Sequence, residues 1–470
     1  MIQSHNICTL TDGYKLTHHK QYLPGTTGVY SYFESHEGAE LDTTVFFGLQ
    51  YILMKYMTGQ VVTRDNIEQA AKRSANYFGD PSLFNREMWE CILTRHNGYL
   101  PVVIKAVPEG TVVPVSNVLM TVENTDDDIA GPLTNHLETI LSQVWYPSTV
   151  ATLSREVKKV ILPYMQTSMS PEAVEQAIML MLHDFGFRGA TSVESAAWGG
   201  AAHLLNFLGT DTLPALDLLE DYYDAEDPGV SVPATEHSVM TAGGRQGEAD
   251  VVGHPLKTHP KGVLSIVADS YNVYDFCDKT LGITYRDQIL KRDGVVVVRP
   301  DSGEPKEVLP ACLQRLARRF GVHTNEQGYQ ELPPQIKVLW GDGLQLGPID
   351  ELCDVVTKAG WSMSNIATFG MGGGLLQRIH RDTQRFAFKC SAQKRDGVWH
   401  DIYKDPIDQS KASKKGTLAL VYGDDHQLTT VPEHRATEND LGKDQLQMVF
   451  MNGQMMKYND LTGMRKRCEL

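Results

Sequence analysis

Four aspartates, Asp211, Asp269, Asp301 and Asp342, each close an apolar run of the chain. Carboxylates that converge on one cleft stay charged together only if cations stand among them. Arg299, two residues before Asp301, is one such cation, and Arg188, Arg381 and Lys389 are the other candidates. Mg²⁺ carried in by a substrate is a further one. The stretch Gly370-Met371-Gly372-Gly373-Gly374 adds backbone N–H groups of the kind that cradle a phosphate where a turn leads into a helix. Read alone, it is equally a tight turn without a ligand; its place behind an apolar run favours the phosphate. It is not a dinucleotide fingerprint, because GxGxxG needs a glycine where Leu375 stands, and no GxxxxGK[ST] loop occurs. Acidic groups, arginines and a glycine turn at one mouth imply a phosphorylated, Mg²⁺-bound substrate.

The remaining reactive side chains are less decisive. His183, Asp184, Phe185 and Arg188 share one stretch. A single His or Phe there is compatible with core packing, whereas an Arg between Gly186 and Gly189 would need a partner if buried. His237, after Glu236, reads as a structural or a reactive histidine. The pairs His18/His19 and His254/His259 lack metal-ligand spacing and are expected at the surface. Ser413-Lys414-Lys415-Gly416 is expected as a solvated basic turn, or an aid to polyphosphate binding. Met448, Met451, Met455 and Met456 are expected to pack.

The elements that position these groups follow from periodicity. GVVVVRPDSG at 294–303 holds four consecutive valines, apolar on both faces, as in a strand buried in a parallel sheet. KGVLSIVADSY, IKVLWGDG and IATFGMGGG repeat the pattern, and the strand ends at 269, 301, 342 and 372 lie 32, 41 and 30 residues apart. That is about one βαβ unit each. Amphipathic stretches at 304–320 and 349–359 fill gaps, the second with Ile349, Leu352, Cys353 and Val356 on one face. Further strands are expected at 178–189, 207–211 and 229–238, helices at 192–205 and 213–223, and an exposed insertion at 243–262. The fold class is α/β: a (β/α) barrel-like domain over 146–390, with its site at the carboxyl ends of the strands.

Residues 1–145 read differently, as an α+β sandwich domain. A short helix within 8–23 follows the caps Thr11 and Asp12, and VYSYF at 29–33 alternates as a strand. Residues 45–58 and 61–78 have helical spacing, and 98–121 reads as short antiparallel strands. Two long helices, 133–145 and 148–166, lead into the barrel. After a helix at 375–385, strands at 386–390, 398–403 and 417–422 open a β-rich piece, 391–470, that completes the first domain.

At 470 residues two domains are expected. A formal net charge of −15 argues against nucleic acid or an anionic membrane as the main partner. Seven scattered cysteines without a CxxC read as reduced thiols, and the start carries no signal-peptide h-region. With no apolar run of membrane-spanning length, a cytoplasmic protein is expected.

Taken in order, TDGYKLTHHKQY, VYSYFES, VFFGLQYIL, GYLPVVIKAVPEG, LHDFGFRG, NFLGTD, GVSVPATEHS, VADSYNVY, RPDSGEP, GDG, GMGGGLLQ, RDTQRFAFKCS, KDP and SKKG resemble the type II phosphoribosyltransferases, within the branch that uses nicotinamide. The resemblance spans nearly the whole chain. It implies transfer of phosphoribosyl from phosphoribosyl pyrophosphate to nicotinamide, giving nicotinamide mononucleotide and pyrophosphate in NAD salvage. It further implies Mg²⁺, optional coupling to ATP, and a homodimer with shared active sites. On this resemblance Phe185 and Tyr14 of a second copy sandwich the pyridine ring, and Asp211 accepts the carboxamide N–H, with Ser231 nearby. Arg299 and Asp301 hold base, ribose and phosphate; Asp342 and Gly341 bind the ribose. Arg188, Gly372 and Gly373 cradle the 5′-phosphate, and Arg381 and Lys389 take the pyrophosphate. His237 matches the family's phosphorylated histidine, with Asp269 orienting it. His36 stands where animal members carry Arg, and Ala387 where the family has Ser.

Three other readings compete. A nicotinate-specific enzyme shares fold and chemistry, but Asp211 would repel a carboxylate. A sugar-phosphate isomerase or aldolase would want a strand-end lysine, which is lacking. A non-catalytic binding protein on the same scaffold would be expected to lose His237, Asp301 or Arg299, and all three are present.

Overall fold

The structure, a computed structural model, describes residues 5–407, 412–423, 425–435 and 443–470. The chain forms two compact units: 1–152, 221–225 and 380–469 in one, 153–220 and 226–379 in the other. The first changeover falls inside a helix, Trp145–Ser168.

The valine run becomes the strand Asp293–Arg299, with Val296, Val297 and Val298 buried. It lies in a parallel sheet ordered Gly209–Thr210, Leu182–Asp184, Ile366–Met371, Ile336–Trp340, Asp293–Arg299, Lys261–Val267. Two isolated bridges, Gly209 to Val230 and Ala234 to Ser265, join the outer edges through the segment 230–234. The ring therefore closes in strict chain order, a barrel whose strand ends all face one mouth. Among its helices, Leu346–Lys358 buries Ile349, Leu352, Cys353 and Val356, the face anticipated from spacing. Pro305–Phe320 buries its own stripe in the same way.

The other unit centres on a seven-stranded antiparallel sheet. Its order is Val398–Asp401, Ala387–Arg395, Thr26–Glu34, Val118–Asn124, Val102–Ala106, Gln447–Met451, Gln454–Met455. Strands from both ends of the chain thus pair within one sheet.

Several expectations change. Residues 243–262 are no exposed insertion: Gly244–Thr258 is a helix that buries Val252, Pro255 and Leu256. Its polar composition masked a sparse apolar face. The helix expected at 375–385 is only one turn, Gly373–Leu376, followed by a 3₁₀ turn, Arg381–Thr383, with Arg385 at φ +50. Here the Gln384 side chain donates to the carbonyls of Leu41 and Thr43, which holds the segment out of helical register. Residues 133–145 break at Leu137 into Gly131–His136 and Glu138–Ser142. The 45–58 run is split by Gly48, at φ +103, between the strand Thr43–Val45 and the helix from Leu49. In 178–189 only Leu182–Asp184 is strand. Lys414 is not solvated: its ammonium is tied to the buried Glu34 and to Ser116 O at 2.7 Å. Met448, Met451 and Met456 are exposed rather than packed.

No helix among the described residues is long and apolar enough to cross a membrane. Two buried histidines should weaken the fold in acid. His203 meets Gly209 O and Ser154 Oγ, each at 3.0 Å, and burial pulls it down to about 3. His136 meets Ile7 O at 2.9 Å and is pulled down to about 4, again by burial. Unfolded histidine titrates near ~6.5. Below that pH the unfolded chain alone takes up these protons, so stability is full above pH ~6.5 and drains as pH falls toward the folded values. At about 1.4 kcal/mol per pKa unit, the loss by pH ~4 should reach several kcal/mol. Denaturant midpoints measured from pH 7 to 4 should fall, and less steeply in His203→Gln. Leu352→Ala, at a fully buried position, should cost about 2–5 kcal/mol in the same measurement.

Candidate active site

The barrel mouth opens into a cleft of about 1130 Å³. Its lining includes Phe185, Arg188, Asp211, His237, Arg299, Asp301, Gly341, Asp342, Gly372 and Gly373. Ser231 and Asp269 join them through hydrogen bonds to Asp211 and His237. The barrel unit thus brings together twelve of the anticipated residues. Tyr14, Arg381 and Lys389 belong to the other unit.

Phe185 follows the strand Leu182–Asp184, and its N–H donates to Met371 O at 3.1 Å. Its half-buried ring lies over two glycines. A Cβ on Gly370 would stand 2.0 Å from the ring and one on Gly341 3.0 Å. The Arg299 guanidinium sits 5.0 Å from the ring centroid. A flat aromatic face next to a cation suits a flat, polar ring.

Asp211 accepts at Oδ1 from Ser231 Oγ (2.6 Å) and His183 Nε2 (3.0 Å), which leaves Oδ2 for a ligand. Burial by itself would raise its pKa, but these two bonds, with the charges of His183 and Arg299, bring it below the usual carboxylate range. His183 thus supports Asp211, although a lone histidine there read more readily as core. Beneath both lies Asp184, fully buried, which accepts from Gly186 N–H (2.7 Å), Thr212 Oγ1 (2.7 Å) and Thr210 Oγ1 (3.3 Å). Burial raises its pKa, and these donors offset part of the rise.

His237 opens a short helix at the end of the closing segment, half-exposed, with Nε2 3.0 Å from Asp269 Oδ1. Ser302 Oγ donates to the other oxygen of Asp269. Arg299 grips Asp301 at Oδ1 alone, from Nε (3.2 Å) and Nη2 (2.9 Å). Three of the four aspartates thus have protein donors, and fewer outside cations are needed than the sequence suggested. Asp342 is exposed at the rim; its backbone carbonyl accepts from Trp340 Nε1 at 2.7 Å. Arg188 is exposed at the same mouth.

Arg378 also lines the cleft, exposed, four residues after the glycine turn. It was missed because 375–385 read as an ordinary helix; its distance from Gly374 was the available signal. Glu34 was missed too. In the sandwich unit it lies buried among Lys389 (3.5 Å), His36 (3.1 Å) and Lys414. Burial lowers the pKa of both Lys389 and His36, against the pull of Glu34. Arg381 is exposed and pairs with Asp382 at 3.5 Å. Tyr14 is exposed and edge-on to His18.

A closed parallel barrel that gathers its charged and glycine residues at the carboxyl ends of the strands is built as barrel enzymes are. Residues 180–454 match the Nicotinate phosphoribosyltransferase (NAPRTase) family, and residues 6–104 match the Nicotinamide phosphoribosyltransferase, N-terminal domain. The chain is 43% identical over 470 residues to the nicotinamide phosphoribosyltransferase of Xanthomonas campestris pv. campestris (strain 8004), covering 99% of this chain and 98% of the relative. It is 32% identical to that of Acinetobacter baylyi, covering 97% and 95%. The fold is shared with a nicotinate-nucleotide pyrophosphorylase from Pyrococcus furiosus, at TM-score 0.62, 15% identity and coverage of 100% and 96%. It is shared also with human nicotinic acid phosphoribosyltransferase, at TM-score 0.60, 14% identity and coverage of 97% and 92%. The chain belongs to the nicotinamide phosphoribosyltransferase family.

Gly370→Ala should push the Phe185 ring off its floor. Overpacking of this kind costs about 1–3 kcal/mol. A denaturant series would read the cost, and a crystal structure of the variant the ring displacement.

Proposed function

We propose that this protein transfers the phosphoribosyl group of phosphoribosyl pyrophosphate to nicotinamide, forming nicotinamide mononucleotide and pyrophosphate in NAD salvage. The observation that carries the reading is Asp211, its pKa held down in the cleft that Phe185 also lines, with no protein donor on Oδ2 among the described residues. That oxygen would accept the carboxamide N–H of nicotinamide and repel the carboxylate of nicotinate. Family membership and the 43% identical relative support the same substrate.

The pyridine nitrogen carries its own lone pair, so the attack needs no general base. The barrier lies in breaking the bond from ribose C1 to pyrophosphate through an oxocarbenium-like state. Stabilising the departing charge should therefore dominate. Phe185 would stack on the ring, with Tyr14 of a second copy on its other face. Arg299 and Asp301 would hold base, ribose and phosphate, and Asp342 with Gly341 the ribose hydroxyls. Arg188, Gly372 and Gly373 would cradle the 5′-phosphate, with Arg378 at the same lip. Arg381 and Lys389 would take the pyrophosphate in a homodimer with shared sites. Mg²⁺ would supply charge neutralisation on the pyrophosphate. The donors fit such a substrate-borne ion, since the Asp301 oxygen not gripped by Arg299 and the rim carboxylate of Asp342 are available, whereas both oxygens of Asp269 are engaged and the free oxygen of Asp211 is given to the carboxamide. ATP would act through His237. With Nε2–H donated to Asp269, Nδ1 keeps its lone pair and could accept the γ-phosphoryl group, releasing ADP. A cytoplasmic location agrees with such a substrate set.

Pure protein with phosphoribosyl pyrophosphate and Mg²⁺ should form mononucleotide from nicotinamide and not from nicotinate; product from nicotinate alone would overturn the specificity. Asp211→Ser should raise nicotinate use relative to nicotinamide, and an unchanged ratio would sink the role given to Asp211. In His237→Ala the ratio of turnover with and without ATP should fall to near one, read from product formed under both conditions.

A further inference from the structure

In the sandwich unit, three side chains of different chemistry meet at the end of the helix Arg86–Arg95. They are Cys91 in its last turns, His96 directly after it, and Asp126 in the turn beyond the strand Val118–Asn124. One ligating atom of each lies within 4.8 Å of the others. His96 Nε2 stands 2.7 Å from Asp126 Oδ2. The other oxygen, Oδ1, accepts from the N–H groups of Asp128 (2.9 Å) and Ile129 (3.3 Å). The carboxylate is thus fixed by its far oxygen and presents the near one, with its side chain only 9% exposed. The backbone of His96 is held as well, its N–H donating to Ile92 O at 3.2 Å.

A His–Asp pair that merely ties the turn to the helix would leave the thiol unexplained. Arg95 shows what the thiol and the carboxylate have in common: its guanidinium reaches Cys91 Sγ at 3.6 Å and Asp126 Oδ2 at 3.4 Å. A bound divalent cation would meet the same carboxylate and would displace the proton of the same thiol. Arg95 is half-exposed and makes its shorter contact, 2.8 Å, with Asp128, onto which it can withdraw.

We propose that Cys91, His96 and Asp126 form a site for a divalent metal of the zinc class, with water as the fourth ligand. A thiolate, an imidazole and one carboxylate oxygen suit borderline-soft Zn²⁺ and not Mg²⁺, which prefers all-oxygen shells. Tetrahedral zinc places its ligand atoms roughly 3.3–3.8 Å apart, so His96 and Asp126 must part by about 1 Å or less and the sulfur must close in. Binding expels the Cys91 proton to solvent, so affinity rises with pH. The ion would clamp the helix end to the turn after the strand, a structural role separate from the barrel chemistry.

The test uses the full chain, freed of metal by chelation and titrated with Co²⁺ as a spectroscopic stand-in. One equivalent should give a thiolate-to-cobalt absorption band, displaced by Zn²⁺ and not by Mg²⁺. Cys91→Ser should abolish the band, and His96→Gln should weaken binding at least about tenfold, since even outer-shell changes cost roughly 10–100-fold. In the unmutated protein, Zn²⁺ should slow alkylation of Cys91, read by peptide mapping, at least tenfold. Cys390 is the other thiol that is not buried and serves as the internal reference. Absence of the band, its survival in Cys91→Ser, or an unchanged alkylation rate at Cys91 would each overturn the proposal.

Discussion

The site depends on one buried carboxylate. Asp184 closes its strand in a place without water, and a charge there persists only if donors surround it. Gly186, Thr210 and Thr212 supply them. Those partners come from two loops: the one that carries Phe185 and Arg188, and the one that carries Asp211. The backbone adds a further tie, Asp211 N–H to Asp184 O at 3.0 Å. Aromatic floor and acidic acceptor are therefore set relative to each other by one residue that touches neither cleft nor solvent. Removing it would leave three donors unpaired in the interior, which costs more than the bonds themselves contribute.

Around that anchor the charges are matched in pairs. Asp211 has His183 and Ser231, Asp269 has His237 and Ser302, and Asp301 has Arg299. Each set gives a carboxylate a protein donor, and among the described contacts each leaves one atom over: Oδ2 of Asp211, Nδ1 of His237, the second oxygen of Asp301. With the donors committed to positioning, the surplus atoms are those that the proposed substrates would meet. The exposed arginines Arg188 and Arg378 have the opposite character, cations at the mouth with no carboxylate gripping them among the described contacts. Such groups suit phosphate oxygens.

The barrel was legible because buried parallel strands write themselves as apolar runs, and the residue that ends the run marks the mouth. Asp211, Asp269, Asp301 and Asp342 were found that way. What stayed hidden depended on partners distant in sequence. Val230–Thr235 closes the ring with two bridges only, so it shows hardly any strand pattern. The helix Gly244–Thr258 needs only three buried residues to dock, and its glycines and polar residues outweigh them in any local reading. Lys414 looked solvated because nothing near it in sequence reveals Glu34, which lies 380 residues away and is 1% exposed. His183 looked like core because its meaning comes from Asp211.

The same logic bears on specificity. A carboxylate can repel an anionic ligand only while it is ionised, and burial works against that. Had Asp211 been buried as deeply as Asp184 with no donors, its pKa would rise and the neutral acid would tolerate either a carboxamide or a carboxylate. The side chain is instead about half exposed, and His183 and Ser231 both bind the oxygen that faces the protein. Charge is thereby maintained on one oxygen for the benefit of the other. On the proposed role of Asp211, discrimination between an amide and an acid on the same ring would follow from an electrostatic sign rather than from shape, which two nearly isosteric groups could not supply.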